Sequence, residues 1–332
     1  MPRLKRVGRD DLTIRRRRHG RSFGYTDADG ELIRDTEFTE RARSLGIPPA
    51  WTDVRIAANP RAHIQAYGTD AAGRLQYIYH PDWVTRRSRK KQLQLAMLTA
   101  ALSRIRRRVR DDLSAEVGSK QLALAIGVAL IDRTAMRVGR ERYLDAHGTR
   151  GAGTLFTRDV VVEGDEVRIR FPAKSGKRAI YQFADARLAE AIRGMKSIEG
   201  KRLLMYRDGA GAARVLRTED LNRYLREVAG VAVTAKDFRT LHASALAGEA
   251  LAKLEPAESA SARKRQMAAV TRQVAEFLQN TPAISRASYI APCLFALFEK
   301  RRLAEMWALG GEGANGVKQR EVRLAAVLAA AG

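Results

Sequence analysis

The spacing of apolar residues along the chain changes once, near residue 90, from the two-residue period of strands to the roughly 3.6-residue period of helices. From about residue 22 to 85 the sequence is rich in turn formers, with D-G at Asp29-Gly30, I-P-P at 47–49 and N-P at 59–60, and its apolar runs are short and alternating, as in LQYIYH. That pattern reads as a small, mainly β domain. The run RRSRKK at 86–91 reads as a polar basic hinge, after which QLQLAMLTAALSRIRRRVRDDL places apolar residues at helical spacing. The expected organisation is a β-rich N-terminal domain over 1–85, the hinge over 86–91 and a mainly helical domain over 92–332. A chain of 332 residues is long enough for two such domains at about 100–200 residues each.

The helical part is interrupted. In SKQLALAIGVALIDRTAMRVG the residues Leu124, Val128, Ile131 and Ala135 form one apolar stripe, and Gly139 is expected to cap the helix, which puts Arg137 at its end. DVVVEGDEVRIRF alternates around Glu163-Gly164-Asp165, and AKSGKRAIYQF follows with a Ser175-Gly176 turn. The spacing predicts a three-stranded sheet with Lys174 at its second turn. From about 182 to 308 the pattern is helical again, broken by DGAG at 208–211 and by Thr281-Pro282. Thr before Pro suits an N-cap and first helical position, so a short helix is expected there with Tyr289 about two turns in. GGEGANG at 310–316 reads as a loop before a last small helix.

Charge narrows the function. Lys and Arg number 61 against 37 Asp and Glu, a formal net charge of +24 spread along the chain. Such a surplus repels itself until phosphates replace the counterions of a nucleic acid, so a polyanionic partner is expected. The single cysteine, Cys293, excludes an internal disulfide framework and a zinc site of paired thiolates. No stretch of about 18 apolar residues occurs, and the N-terminus has no apolar core of signal-peptide length. A soluble, cytoplasmic protein without membrane contact is expected.

Metal and nucleotide chemistry find no support in the motifs. Asp27-Ala28-Asp29-Gly30 begins like a calcium loop, but its glycine comes too early and Phe38 stands where a bidentate Glu is needed, so a hairpin turn is expected. The five histidines are scattered, and no G-x-x-x-x-G-K-[ST] loop is present. No cofactor and no metal are therefore expected. A phosphodiester can still be attacked without metal if cationic donors neutralise its oxygens, an acid protonates the leaving alkoxide and a nucleophile is in reach. Arg suits the first role through its planar, always charged fork, and Lys can give up a proton.

Five separated elements then acquire meaning together: R-V-G at 137–139, K-S-G at 174–176, K-D-F-R-T at 236–240, N-T-P at 280–282 and Ser288-Tyr289-Ile290-Ala291-Pro292. With IPPAWTDVRI at 47–56 and GRLQYIYHPDW at 73–83, they make the chain resemble the type IB DNA topoisomerases over most of its length, most closely the compact poxvirus-like enzymes of bacteria. The resemblance implies an α+β architecture: a small mainly-β N-terminal domain and a larger mainly-α catalytic domain of the topoisomerase IB/tyrosine recombinase type, containing a small three-stranded sheet. It implies that Tyr289 attacks a phosphodiester, joins the 3′ phosphate and frees a 5′ hydroxyl. Arg137 and Arg239 would hold the non-bridging oxygens, Lys174 would be the general acid and Asn280 a hydrogen-bond donor. Many relatives carry His where this chain has Asn280; Asn exchanges no proton at neutral pH, so only a neutral hydrogen bond is expected of it.

The same resemblance places DNA contacts at Gln76, Tyr77 and Tyr79 in the major groove and at Arg142 and Tyr143 after the first arginine. Tyr77 and Tyr79 would share one strand face, and Gln76 the other unless a bulge intervenes. The runs Arg15–Arg18 and Arg86–Lys91 offer further charge to phosphates. The expected partner is duplex DNA, clamped by a monomer at the nucleoid with no obligate protein partner. Tyrosine recombinases share the chemistry, but they show H-x-x-R where this chain has Lys236-Asp237-Phe238-Arg239, and a helical N-terminal domain. A basic architectural protein would account for the charge and leave the five elements unexplained.

Overall fold

Alternating strand formers and turn residues produce the expected sheet in a computed structural model that describes residues 3–20, 22–314 and 316–330. The chain divides into two compact units, Met1–Lys90 and Lys91–Gly332. In the first, β1 (Ile14–His19), β2 (Ser22–Thr26), β3 (Thr52–Ile56), β4 (Ile64–Thr69) and β5 (Leu75–Tyr79) form one antiparallel sheet in the order β2-β1-β3-β4-β5, with α1 (Thr36–Ser44) between β2 and β3. Ile14, Tyr25, Val54, Ile56 and Ala66 pack on Phe38 and Ala42 of α1. A second cluster holds Leu12, Ala57, Ala62 and Ile64, against which Tyr67, Tyr77 and Tyr79 pack. The register of β4 shifts between Ile64 and Ala66, and this bulge lets residues two apart serve different clusters. Asp27 closes the expected turn, its Oδ1 accepting the amides of Asp29 at 3.0 Å and Glu31 at 2.9 Å.

The basic run 86–91 is helical. It lies inside α2 (Pro81–Asp112), an unbroken helix of 32 residues, so helix begins about a turn and a half before the run, where Pro81 suits a first helical position. The boundary between the units falls within this helix.

The second unit contains α3 (Lys120–Thr134), α4 (Glu141–His147), β6 (Val160–Glu163), β7 (Glu166–Pro172), β8 (Arg178–Ala184) and α5 (Ala186–Lys196). Then follow β9 (Met205–Arg207), β10 (Ala213–Val215), α6 (Thr218–Ala229), α7 (Ala235–Ala252), α8 (Ala260–Phe277), α9 (Pro282–Ser288), α10 (Pro292–Glu299), α11 (Leu303–Ala308) and α12 (Gln319–Ala330). β6, β7 and β8 form the expected three-stranded antiparallel sheet. One contiguous apolar core runs through the unit. No helix among the described residues is long and apolar enough to cross a membrane.

Three expectations need correction. α3 is buried nearly all round, Leu122, Ala123, Ala125, Ile126, Val128, Leu130 and Ile131 included, because it runs through the middle of the unit instead of presenting one stripe. It ends at Thr134, and Ala135 caps it in the left-handed conformation at φ 52°, so Gly139 is not the cap and Arg137 lies in the loop beyond. DGAG at 208–211 is the turn of the β9–β10 hairpin and not a break between helices. Strands of three residues are too short to show a period.

At the centre, α2, α3, α7 and α12 meet around charge. Arg106 of α2 donates to Asp132 of α3 at 2.6 and 2.9 Å and to Glu321 of α12 at 2.7 and 3.0 Å. His242 of α7 lies 3.0 Å from the Asp132 carboxylate. Burial raises the pKa of Asp132, but hydrogen bonds from Arg106 and His242 outweigh it and hold it well below the ordinary carboxylate range. Glu321 is lowered in the same way, with Arg106 overcoming burial. Both carboxylates bind a proton less readily folded than unfolded. Their stabilisation is therefore complete above the unfolded values near 4 and is lost as pH falls toward the folded ones. Asp132→Asn is expected to cost on the order of 3 kcal/mol at pH 7, by leaving charge unpaired, and to flatten the decline of Tm between about pH 5 and 3. Calorimetry across that range checks this; an acid decline as steep as the native chain's contradicts it.

Candidate active site

The first turn of α7 is built by its own sequence. Asp237 reaches back to accept the amide of Thr234 at 2.8 Å and its hydroxyl at 2.9 Å, closing the helix N-terminus and presenting Lys236 and Arg239. Arg239 is only 3% exposed. Its Nη1 donates to the carbonyl of Ala135 at the end of α3, and its Nη2 to the carbonyl of Leu278 at the end of α8, at 3.0 Å. Helix C-termini carry partial negative charge, so a guanidinium is well placed there. The guanidinium also lies 4.9 Å from the centre of the Tyr289 ring, and Lys236 Nζ lies 5.8 Å from it.

Arg137 is held by backbone stitching. The amide of Ala152 donates to the carbonyl of Arg137 at 2.9 Å and that of Gly153 to Val138 at 2.7 Å. Gly139, at φ +81°, allows this approach, since a Cβ there would collide with Thr154 Oγ1. The Arg137 side chain donates to Asn280 Oδ1. Burial first, and then the neighbouring charge of Arg239, push its pKa below the ordinary guanidinium value. Asn280 Nδ2 is buried and has no hydrogen-bond partner. A buried N–H without a partner is costly unless something completes it, and here it sits beside a cation.

Lys174 is exposed on a single 3₁₀ turn, Lys174–Gly176, that links β7 to β8 and is closed by the amide of Ala173 donating to Lys177 at 2.7 Å. Tyr289 caps the short helix α9, whose start follows the expected pattern: Thr281 Oγ1 accepts the amide of Ile284 at 3.3 Å and Pro282 comes first. Ser244 of α7, fully buried, donates its hydroxyl to the carbonyl of Tyr289 at 3.1 Å and accepts the amide of Ala291 at 3.0 Å. The backbone from the tyrosine's carbonyl to Ala291 is thus tied to the helix that carries Arg239.

Arg137, Lys174, Lys236, Arg239 and Tyr289 line one cleft of about 690 Å³, and Asn280 is joined to it through Arg137. With Arg140 and Arg150, six Lys and Arg side chains line this cleft, and no carboxylate among the described residues does. Such a site favours a polyanion. Tyr143 stands exposed in the same lining, with Arg142 Nη2 donating to its hydroxyl at 2.9 Å.

Gln76, Tyr77 and Tyr79 belong to the other unit, on β5. Tyr77 and Tyr79 stack at 5.9 Å, and Tyr67 lies 6.1 Å from Tyr77, so the rings support one another. Gln76 donates to Asp70 at 2.9 Å and shares its face with Ile78, since the bulge is in β4 and not in β5. Within the run Arg15–Arg18, Arg16 is spent on the structure: it donates to the carbonyls of Ile47, Pro48 and Trp51.

A family model for the catalytic core of eukaryotic DNA topoisomerase I matches residues 81–291, and one for the N-terminal domain of bacterial DNA topoisomerase IB matches residues 22–70. The chain belongs to the type IB DNA topoisomerase family. It is 28% identical over 293 residues to DNA topoisomerase 1B of Acanthamoeba polyphaga mimivirus, covering 86% of this chain and 87% of the viral one. It is 21% identical over 294 residues to DNA topoisomerase 1B of Vaccinia virus (strain Copenhagen), covering 84% and 90%.

Sequence reasoning missed Lys236 and Ser244 as members of this site. Lys236 stood in view within K-D-F-R-T; Ser244, inside the apolar run LHASALAG, gives no local signal. Replacing Ser244 by Ala strands a buried carbonyl and a buried amide and is expected to destabilise the chain by roughly 1–3 kcal/mol. Urea unfolding measures this, and an unchanged midpoint would show that the bridge contributes nothing.

Proposed function

We propose that this chain relaxes supercoiled duplex DNA without ATP or metal, by nicking one strand through Tyr289. The observation that carries the reading is the cleft in which Tyr289 meets Arg137, Lys174 and Arg239 with no carboxylate among the described lining residues. Arg137 and Arg239 hold the two non-bridging oxygens of the scissile phosphate, supplying the charge that a metal would otherwise bring. Asn280 adds a neutral hydrogen bond from its unpartnered Nδ2, which supports a donor role over any role as base.

The Tyr289 oxygen bonds to phosphorus as the bond to the 5′ oxygen breaks, and Lys174 gives that oxygen its proton, balancing the one lost by the phenol. The result is a 3′-phosphotyrosyl bond and a free 5′ hydroxyl. Because the phosphoester energy is kept in the phosphotyrosine, the 5′ hydroxyl reseals the strand by the reverse attack after the free end has swivelled. Torsional strain in the DNA sets the direction.

Duplex DNA is contacted by Arg142 and Tyr143 at the cleft and by Gln76, Tyr77 and Tyr79 of the β unit. One tyrosine and one set of cations suffice for one nick, so a single chain is the working unit, acting in the cytoplasm at the nucleoid and needing no protein partner.

Relaxation of supercoiled plasmid in excess EDTA without ATP tests the proposal, with Tyr289→Phe as the control. The native chain is expected to relax the plasmid and the variant only to bind it; equal relaxation by both removes Tyr289 from the role of nucleophile. Asn280→Ala is expected to slow single-turnover cleavage roughly 100-fold, the scale of losing one preorganised donor. Rapid-quench measurement decides, and a loss under about threefold would remove Asn280 from the site's chemistry.

A further inference from the structure

Arg106, Asp132, His242 and Glu321 are buried or largely buried, charged or titratable, and unused by the reaction described above. Their place in the fold is informative. Asp132 stands three residues before Ala135, whose carbonyl receives Arg239, and five before Arg137. His242 stands three residues after Arg239, about one turn along α7. The network therefore joins α3, whose end leads into Arg137, to α7, which carries Arg239.

Its fourth member comes from elsewhere. Glu321 lies on α12, thirty-two residues past Tyr289, and no residue of α12 lines the cleft. Glu321 is completely buried and accepts from Arg106 through both carboxylate oxygens, with Oε2 also taking the amide of Lys318 at 2.9 Å. His242 Nδ1 lies 3.7 Å from Glu321 Oε1, while its Nε2 faces Asp132. Arg106 further donates to the carbonyl of Gly316 at 2.6 Å, in the segment leading into α12. Burying two carboxylates costs more than an apolar contact of the same size would, so docking a terminal helix does not by itself call for them. Fixed hydrogen-bond geometry is what they add.

We propose that Glu321 is a positioning residue for strand cleavage: through Arg106, Asp132 and His242 it locks the register of α3 against α7 and so the spacing of Arg137 and Arg239. This rests on the proposed transesterification at Tyr289. A phosphoryl group gripped by two guanidiniums tolerates little misplacement, since a shift of about 1 Å at a reacting centre can cost 100-fold. α12 contributes no atom to the cleft yet governs its geometry.

Glu321→Gln in the full chain keeps the shape and removes one charge and one acceptor; Arg106→Lys keeps the charge and loses the fork. Leu328→Ala, two turns further along α12, removes docking energy without touching the network. Single-turnover cleavage of a nicking substrate at saturating DNA, DNA affinity and Tm are measured for each. Both network variants are expected to cleave at least tenfold more slowly with affinity within twofold of native, while Leu328→Ala, at a comparable loss of Tm, cleaves within twofold of native. Native cleavage rates in Glu321→Gln and Arg106→Lys overturn the proposal, as does a rate that follows Tm equally in all three variants. Failure of the native chain itself to form a covalent adduct would instead sink the reading at Tyr289 on which this one stands.

Discussion

A guanidinium buried without a carboxylate is the constraint around which the catalytic unit is arranged. Both terminal nitrogens of Arg239 donate to main-chain carbonyls at the ends of α3 and α8, groups that solvate its charge without cancelling it, while its Nε is buried without a partner among the described residues. The contrast with Arg106 is direct. Both arginines are largely buried in the same unit, but Arg106 is enclosed by two carboxylates and its charge is consumed in holding helices together. Arg239 and Arg137 form no ion pair among the described residues, and their charge remains for a phosphate. Two like charges held side by side are a strain that a bound anion relieves, and the lowered pKa of Arg137 carries that strain: burial and the field of Arg239 both oppose its charge.

The surplus of +24 is therefore not one uniform property. Part of it builds structure, as in Arg16 bracing the carbonyls around Pro48, Arg202 paired with Glu141 of α4, and Arg106 at the centre. Another part is concentrated around one tyrosine in a cleft that no carboxylate among the described residues lines, Arg150 being paired with Asp159 behind it. Local placement of acids, and not the count of bases, separates a surface that binds DNA from one that can react with it.

Much of the fold was legible because it rests on periodicity. The β character of the first unit, the three-stranded sheet with Lys174 at its turn and the Thr281-Pro282 helix start are all local patterns, although β1 lies before the stretch from about residue 22 that reads as β. The misreadings have a common physical source in tertiary contacts. Gly139 looked like a helix cap because glycine is the usual occupant of left-handed φ, yet here Ala135 takes that conformation, and its carbonyl is engaged by Arg239. Gly139 instead makes room for Gly151 and Thr154. The basic run 86–91 read as preceding the first helix because it is polar, but nothing between Pro81 and Asp112 breaks a helix, and the boundary between the units at Lys90 and Lys91 falls inside it. At the site, the five motif residues were named through resemblance to a family, since no spacing links residues 137, 174, 239, 280 and 289. Ser244 and Glu321 were beyond reach, because their partners lie 45 and 215 residues away in sequence.

The central claim is a bond between one atom of this chain and one of DNA. The most direct test incubates the protein with a duplex whose cleaved strand loses its short 5′-hydroxyl fragment, traps the adduct with denaturant, digests it and sequences the DNA-bearing peptide by mass spectrometry. The account predicts a single modified peptide carrying a 3′-linked nucleotide on Tyr289. A nucleotide on another residue, or one linked through a 5′ phosphate, would contradict it.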